Sequence, residues 1–315
     1  MKILFLGGTG FFGKSFLSYF QNFILPKNKN ANLVIASRNP ESILDYVNHK
    51  YLGNSITLES IDILTCNVLP ESDLVIHAAA YTNESSYINN PDKERENIIK
   101  GTHNIVNLIS SESKFIYVSS GAVYGKQMNI MPGFDENEET RVYKNHDVKS
   151  IYSSAKIDAE KVVISISKRN NIRSIIARCF SFIGCHLPLN QHFVIGNIIN
   201  SVLNKSDFLL KSKKRIYRSY MDSHDLSRAL IFISKFASEN TEIFNIGSNE
   251  VIEIHELAHD LSCKYNFDIR GEKEADHSVE SDIYIPNISK LLSSGYKLEY
   301  TIQNSINKII NNARS

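Results

Sequence analysis

The chain has 315 residues, 42% of them hydrophobic, which is enough to bury the core of one large domain or of two smaller ones. Lys and Arg total 35 against 34 Asp and Glu, so the net charge of +1 gives no reason to expect nucleic acid or an anionic membrane as the main partner. The four cysteines form no CxxC pair or metal-like cluster, and no apolar run approaches the roughly 20 residues that span a bilayer. We expect a cytoplasmic protein without a metal site.

The first predicted elements are a strand, a glycine-rich turn and a helix. Lys2 to Leu6 is a short apolar run with β character, and large apolar residues recur at helical spacing from Phe11 to Phe20. Between them Gly8, Gly10 and Gly13 fit the pattern GxGxxG, while Gly7, Gly10 and Gly13 fit GxxGxxG. Glycines that follow a strand and open a helix let the backbone approach a pyrophosphate closely, so we interpret them as a dinucleotide-binding loop; an ordinary turn is the alternative.

Later apolar runs predict further strands. They are Asn32 to Ala36, Leu74 to Ala80, Lys114 to Gly125 and Arg173 to Phe180, with helix-like stretches between them. Continuous apolar strands that alternate with helices indicate a parallel sheet covered on both faces. The predicted fold is therefore α/β, a doubly wound parallel sheet of the Rossmann type.

The alternation loosens after about Phe180. The stretches "GCHLPLNQHF" and "KSKKRIYRS" and a polar stretch from Gly271 to Ser281 break the pattern. We expect residues 1–180 to form the dinucleotide-binding domain and residues 181–315 to form mainly a smaller α+β substrate-binding cap, with segments around 219–250 returning to the first domain.

The end of the second predicted strand bears on the choice of cofactor. An Asp or Glu there would bind the free ribose hydroxyls of NAD, whereas this chain has Ser37 and Arg38. A guanidinium can grip a ribose phosphate with paired donors, so the sequence favours NADP, with NAD as the alternative. An Arg that merely lies on the surface would explain the same residue.

Tyr152 and Lys156 form a YxxxK pair in a stretch of helical character, where residues four apart share a face. The Lys charge is expected to lower the pKa of the phenol and to make it a proton-transfer group. Tyr46 and Lys50 have the same spacing but come soon after the second predicted strand, near the expected adenosine end. Ser120 closes another strand at its carboxyl end, where open α/β sheets bind ligands.

Eight motifs in order give the chain a resemblance to the extended short-chain dehydrogenases/reductases of the NAD-dependent epimerase/dehydratase family, which act on nucleotide-activated sugars. They are "GGTGFFG", "HAAA", "ENIIKGTHNI", "VSSGAVYG", "YSSAK", "RSYMDSHDLSRA", "FNIGS" and "PNISKLLSSGYKLEY". The resemblance implies that Tyr152 is the catalytic acid/base, that Lys156 is its electrostatic partner, and that Ser120 hydrogen-bonds the reacting sugar hydroxyl. It also implies that Arg178 lies under the floor of the active site.

The remaining site residues follow in two groups. For the cofactor we expect contacts from Gly7, Gly10, Phe11, Phe12, Gly13, Ser37, Arg38, Asp62, Ala78, Ala79, Ala80, Asn97, Tyr152 and Lys156. For the substrate we expect contacts from Ser120, Ser181, His192 and Arg218, the last of which matches the family's pyrophosphate-binding arginine.

The chain departs from the family pattern at Gly121 and Ala122, where members that dehydrate the sugar at C5 and C6 carry an Asp and a Glu. The family's second phosphate-binding Arg is not apparent either; Arg270 is a candidate to bind the phosphate in its place. The resemblance and Arg38 together favour a nucleotide-sugar 4-ketoreductase that uses NADPH, in polysaccharide or glycoconjugate precursor synthesis.

Other functions stay open at this point. One is an NAD-retaining nucleotide-sugar 4-epimerase, and a less favoured one is a 4,6-dehydratase. A hypothesis of another class is an NADP-binding sensor that has lost catalysis. The resemblance further implies a homodimer formed through helices of the first domain.

Overall fold

The structure is a computed structural model that describes residues 1–80, 89–142, 148–189, 193–272 and 274–314. The chain divides into two compact units. The first comprises Met1–Gly125, Glu136–Cys179 and Ser227–Ile246, and the second comprises Lys126–Asp135, Phe180–Leu226 and Gly247–Ser315. Which unit binds which ligand stays a prediction.

The strands, in chain order, are β1 (Lys2–Leu6), β2 (Asn32–Ser37), β3 (Ile56–Ser60), β4 (Leu74–His77), β5 (Lys114–Ser120), β6 (Arg173–Cys179), β7 (Phe182–Ile183), β8 (Phe208–Leu210), β9 (Ile216–Ser219), β10 (Met221–Asp222), β11 (Glu242–Ile246), β12 (Val251–Glu253), β13 (Ile269–Gly271) and β14 (Asp282–Tyr284). The α-helices are α1 (Phe11–Tyr19), α2 (Pro91–Leu108), α3 (Val148–Arg169), α4 (Val194–Asn204), α5 (Ser223–Ile233), α6 (Ile254–Tyr265), α7 (Ser289–Ser293) and α8 (Ile302–Arg314).

The first unit is built on a parallel sheet of seven strands in the order β11-β6-β5-β4-β1-β2-β3. Helix α1 packs on one face, where the rings of Phe5 and Phe16 lie 4.8 Å apart. Helices α2 and α3 cover the other face and share a core with Leu4 and Leu6. Burial on both faces explains the continuous apolar strands, and the predicted doubly wound α/β fold is confirmed.

Strand β3 is not among the strands predicted from the sequence, because it has no continuous apolar run. It forms one edge of the sheet, and its sequence ITLES has one buried residue with the rest half-buried or exposed. An edge strand pairs through its backbone on one side and needs few apolar side chains. With β3 included, the helix that carries Tyr152 and Lys156, α3, follows the fifth strand in chain order, β5.

The second unit combines small sheets with helices. Strands β12, β9 and β14 form a three-stranded sheet, and β10-β7 and β13-β8 are two-stranded. Asp225 is fully buried, and its carboxylate accepts the backbone N–H groups of Glu299 and Tyr300 at 3.0 Å each. This residue therefore anchors the segment before α8, which is a structural role.

Among the helices that the structure describes, none combines the length and the apolar content that a bilayer crossing requires.

Candidate active site

The glycine-rich loop joins β1 to α1 and lies against the segment that follows β4. Gly7 has φ +88°, and a Cβ there would come within 2.6 Å of the Cα of Ala79. The N–H of Ala78 donates to the carbonyl of Leu6 at 2.9 Å. The strand order reverses between β1 and β4, and open α/β sheets bind ligands at such a switch point.

Gly10 and Gly13 serve this loop in different ways. A Cβ on Gly13 would lie 2.1 Å from the carbonyl oxygen of Gly8, so only glycine lets the helix start so close to the loop. Gly10 is the N-cap of α1, and no described atom lies within 4 Å of the position of a Cβ there. A Cβ at this position would therefore meet no neighbouring element, and the N-terminus of a helix is where the helix dipole favours a pyrophosphate.

The candidate adenosine end lies at the carboxyl ends of β2 and β3. Ser37 is half-buried and its Oγ accepts the N–H of Asn39 at 3.2 Å, while the side chain of Arg38 is exposed. Asp62 follows β3, and its Oδ1 accepts the N–H of Leu64 at 3.0 Å, which holds a turn. The structure thus leaves Arg38 accessible at the end of β2.

The other expected cofactor residues occupy nearby elements. Phe11 and Phe12 begin α1, Ala78 to Ala80 follow β4, and Asn97 is half-buried on α2. Tyr46 ends a 3₁₀ turn, so the pair Tyr46 and Lys50 does not share a helix face. Position on a helix thus separates the two YxxxK pairs.

Ser120, Tyr152 and Lys156 come together at the carboxyl end of β5. Ser120 caps a short 3₁₀ turn by accepting the N–H of Ala122 at 3.2 Å, and its side chain is hydrogen-bonded to the Tyr152 hydroxyl. Lys156 is one helical turn after Tyr152 on α3, and its Nζ donates to the carbonyl of Val118 at 2.8 Å. The three residues form one cluster on β5 and α3.

Burial sets the protonation of this cluster. It raises the pKa of Tyr152 to about 12, although the hydrogen bond from Ser120 lowers it. It lowers the pKa of Lys156 to about 8. The expectation that the Lys156 charge would lower the pKa of this phenol is wrong for the free protein, because the cost of burying a phenolate is larger.

Three neighbours of the cluster were not recognised from the sequence. His77 ends β4 with its ring 5.6 Å from that of Tyr117, and burial lowers the pKa of this imidazole to about 3. Cys179 ends β6 opposite Ser120, and burial raises its pKa to about 12. Glu160 is buried one turn beyond Lys156. Spacing on α3 could have indicated Glu160, since it continues the four-residue period of Tyr152 and Lys156.

Arg178 is buried on β6 and pairs with Glu160, with 2.8 Å between Nη2 and Oε2. Its guanidinium also lies over the ring of Tyr124 at 4.8 Å. The guanidinium of Arg178 therefore interacts with residues of the first unit.

Ser181, Arg218 and Arg270 belong to the second unit. Arg218 is mostly buried on β9, and its Nη2 lies 2.9 Å from the Oδ2 of Asp282, while its Nη1 donates to the carbonyls of Tyr217 and Asp282. Arg270 is largely exposed and is paired with Asp207. His192 lies outside the described residues.

Comparison with known proteins gives consistent relatives. A profile of the NAD dependent epimerase/dehydratase family matches residues 3–247. A dTDP-D-glucose 4,6-dehydratase of Dictyostelium discoideum is 28% identical over 267 residues, which cover 79% of this chain but only 58% of that protein. A UDP-glucose 4-epimerase of Mycoplasma genitalium is 22% identical over 346 residues, covering 100% of this chain and 95% of the epimerase.

Solved structures agree on the fold. The structure of a UDP-glucuronic acid 4-epimerase from Bacillus cereus, in complex with UDP-glucuronic acid and NAD, superposes with a TM-score of 0.80 at 19% identity, over 100% of this chain and 99% of that one. At this level of identity the likeness shows the architecture.

Proposed function

The chain belongs to the NAD dependent epimerase/dehydratase family, and from this premise we propose that it oxidises and reduces C4 of a nucleotide-activated sugar with a nicotinamide cofactor. The observation that carries the proposal is the hydrogen bond between Tyr152 and Ser120 in one cluster with Lys156. A phenol, a hydroxyl and an ammonium at the carboxyl end of a parallel sheet suit proton transfer at a sugar hydroxyl.

The residues present fit a dinucleotide. Gly7 and Gly13 allow the loop to lie close to its neighbours, and a Cβ at Gly10, the N-cap of α1, would meet no neighbouring element. When bound, the nicotinamide exchanges a hydride with the sugar carbon.

The side chains of the cluster have separate roles in this proposal. As the phenolate, Tyr152 takes the proton from the reacting hydroxyl and becomes the phenol, and it returns that proton when the sugar is reduced again; Ser120 holds the hydroxyl by a hydrogen bond. Lys156, as an ammonium, stabilises the phenolate that forms when Tyr152 gives up its own proton.

We favour a 4-epimerase as the specific activity. A 4-epimerase needs the same acid/base for both directions and no further proton handlers, which fits a site whose residues after Ser120 are Gly121 and Ala122. Elimination of water would need a carboxylic acid and a base near the sugar, and these two residues supply neither. The relative that aligns over 95% of its length is named as a UDP-glucose 4-epimerase.

A 4-ketoreductase that uses NADPH is the second candidate, and the exposed Arg38 at the end of β2 is the observation that favours it. A guanidinium at this position can bind a ribose phosphate with paired donors. The alternative cofactor, NAD, is supported by the neighbour solved with NAD.

The proposed substrate pyrophosphate would bind Arg218. In the structure this arginine is paired with Asp282, so an incoming diphosphate has to replace the carboxylate as its partner. We also propose a cytoplasmic homodimer formed through α2 and α3.

The test is product analysis with two substrate types. Purified protein is incubated with NAD and UDP-glucose or UDP-galactose, and separately with NADPH and a 4-keto nucleotide sugar, and the sugars are separated by chromatography. Interconversion of the two UDP-sugars supports the epimerase, whereas consumption of NADPH with the keto sugar alone supports the reductase. An Arg38→Ala variant that loses NADPH affinity while keeping NADH affinity would identify Arg38 as the phosphate ligand.

A further inference from the structure

Three consecutive residues of β5 are held by three residues of α3 that are spaced by four. Tyr152 bonds the Ser120 hydroxyl, Lys156 donates to the Val118 carbonyl, and Glu160 accepts from the Ser119 hydroxyl at 2.5 Å. Because helical residues four apart share a face, these three bonds fix the helix against the end of the strand. The first two involve the proposed catalytic residues, and the third does not.

The third bond belongs to a fully buried charge pair. Only 3% of Glu160 and 4% of Arg178 is exposed, and the guanidinium meets both carboxylate oxygens, with Nη2 to Oε2 at 2.8 Å and Nε to Oε1 at 3.1 Å. Arg178 lies beside Ser119 in the pairing of β6 with β5. A carboxylate held by a planar guanidinium and a hydroxyl has a defined position, so Glu160 joins three elements at one point.

The groups that face Lys156 come from four elements. They are Tyr152 and Glu160 on α3, Tyr117 on β5, Cys179 on β6 and His77 on β4. Phenols are neutral near pH 7, the Cys179 thiol has its pKa raised to about 12, and the imidazole of His77 is uncharged because burial lowers its pKa to about 3. Among these described groups, Glu160 is therefore the carboxylate, and its partner Arg178 on β6 places a guanidinium against it.

We propose that Glu160 is a positioning residue for the reaction: through Ser119 and Arg178 it holds α3 in register with β5, and it places a carboxylate one helical turn from Lys156. The part that concerns catalysis rests on the proposed function, in which Tyr152 and Lys156 move the proton. Burial lowers the pKa of Lys156, and Cys179 and then Glu160 act in the opposite direction. Because the Cys179 thiol is neutral near pH 7, the carboxylate of Glu160 is the neighbour that we expect to favour the ammonium at the pH of the reaction.

The test follows the titration of Lys156 directly, without substrate. The protein is labelled with ¹³C in its lysine side chains, and the Lys156 signal is identified by its loss in Lys156→Met. Glu160→Gln is expected to lower the titration midpoint of Lys156 by about one pH unit, because an uncompensated burial cost remains. Asp158→Asn is the matched control, since it removes the same charge from the same helix at a more exposed site paired with Lys161 and Arg95.

Conservative variants separate charge from shape. Glu160→Asp keeps the charge and should keep the Lys156 midpoint near that of the wild type. Ser119→Ala keeps both charges and should lower turnover equally at every pH, without moving the midpoint. Should Glu160→Gln fold poorly because Arg178 loses its partner, the double variant Glu160→Gln/Arg178→Gln removes one negative and one positive charge together. Its Lys156 midpoint should then lie between those of the wild type and Glu160→Gln, and Ser119→Ala still tests the positioning role.

Turnover gives the second readout, with NAD and UDP-glucose as the probe. In Glu160→Gln the loss of activity at high pH should begin at a lower pH than in the wild type, by the same interval as the Lys156 midpoint moves. Equal midpoints in Glu160→Gln and the wild type, or an equal shift in Asp158→Asn, would overturn the proposal. Failure of the wild type to convert any nucleotide sugar would instead count against the proposed function, because the titration does not depend on turnover.

Discussion

At the scale of single residues, the proposed chemistry depends on the protonation state of the Tyr152 phenol. Its pKa is raised to about 12 by burial, so this tyrosine is fully protonated at neutral pH in the free protein. A bound cation beside the ring would favour the phenolate and lower this pKa. The oxidised nicotinamide ring of the proposed cofactor would be such a cation, so its binding would favour the base form of Tyr152.

We therefore expect a cofactor-dependent titration of Tyr152. Without cofactor, the ultraviolet phenolate absorbance of the wild type and of Tyr152→Phe should coincide up to about pH 10, because burial opposes ionisation. With NAD⁺ the wild type should gain an extra phenolate signal below that pH. An extra signal near neutral pH in the cofactor-free wild type would show that burial does not control this group.

Lys156 gives a second expectation at this scale. Its pKa is about 8 when folded, and a lysine in the unfolded chain titrates near about 10.4. Between these values the unfolded state binds more protons, so the contribution of Lys156 to the free energy of unfolding rises with pH across this window, by about 3 kcal/mol in total. Chemical denaturation of wild type and Lys156→Met across this window measures it: the wild type should gain stability relative to the variant as pH increases, and parallel curves would contradict the assignment.

At the scale of elements, the loop between β1 and α1 shows why two glycines of one motif differ. Gly13 is required by the fold because a Cβ would lie 2.1 Å from the Gly8 carbonyl oxygen. Gly10 has no described atom within 4 Å of its Cβ position, so the fold alone does not require it. We therefore propose that Gly10 leaves room for a ligand.

Alanine at these two positions should separate folding from binding. Gly13→Ala is expected to lower the free energy of unfolding by about 1–3 kcal/mol, because the helix has to move away from the loop. Gly10→Ala should change it by less than about 0.5 kcal/mol, yet weaken NAD binding by about tenfold or more, because the methyl group occupies the pyrophosphate position. Denaturation and calorimetric titration measure the two effects. Unchanged NAD affinity in Gly10→Ala would mean that the cofactor does not lie over this helix end.

The sequence predicted the positions of several site residues, but not their burial, their pKa values or their long-range partners. The glycine spacing and the Tyr152–Lys156 period depend on local geometry, so they could be predicted without a structure. Strand β3 could not be found by apolar runs because it is an edge strand, and the pKa of Tyr152 depends on burial that comes from distant strands. The pairing of Arg218 with Asp282 joins residues 64 positions apart and has no local signal.

At the scale of the whole molecule, the chain consists of a parallel-sheet unit with the proposed chemistry and a mixed α+β unit with Arg218. The proposed dimer would use the outer surfaces of α2 and α3. Ile164 on α3 has 40% of its surface exposed, and this apolar side chain is the position at which we test the proposed interface.

A charge at this position should disrupt the dimer. We expect the wild type to sediment as a dimer at micromolar concentration and Ile164→Asp to sediment as a monomer, because a buried carboxylate without a partner is unfavourable. Val68→Asp is the control, an exposed apolar residue outside both helices. A wild type that sediments only as a monomer would refute the dimer.

The central claim is that a nicotinamide and Tyr152 together oxidise a nucleotide sugar. The most direct measurement is the near-ultraviolet absorbance of reduced nicotinamide after the protein and NAD are mixed rapidly with UDP-glucose, UDP-galactose or dTDP-glucose. The account predicts that the wild type forms reduced nicotinamide with at least one of these sugars, and that Tyr152→Phe, compared at saturating NAD, forms it about 10²–10⁴-fold more slowly. A wild type that binds NAD and forms no reduced nicotinamide with any of them would contradict the claim and support a cofactor-binding protein without catalysis.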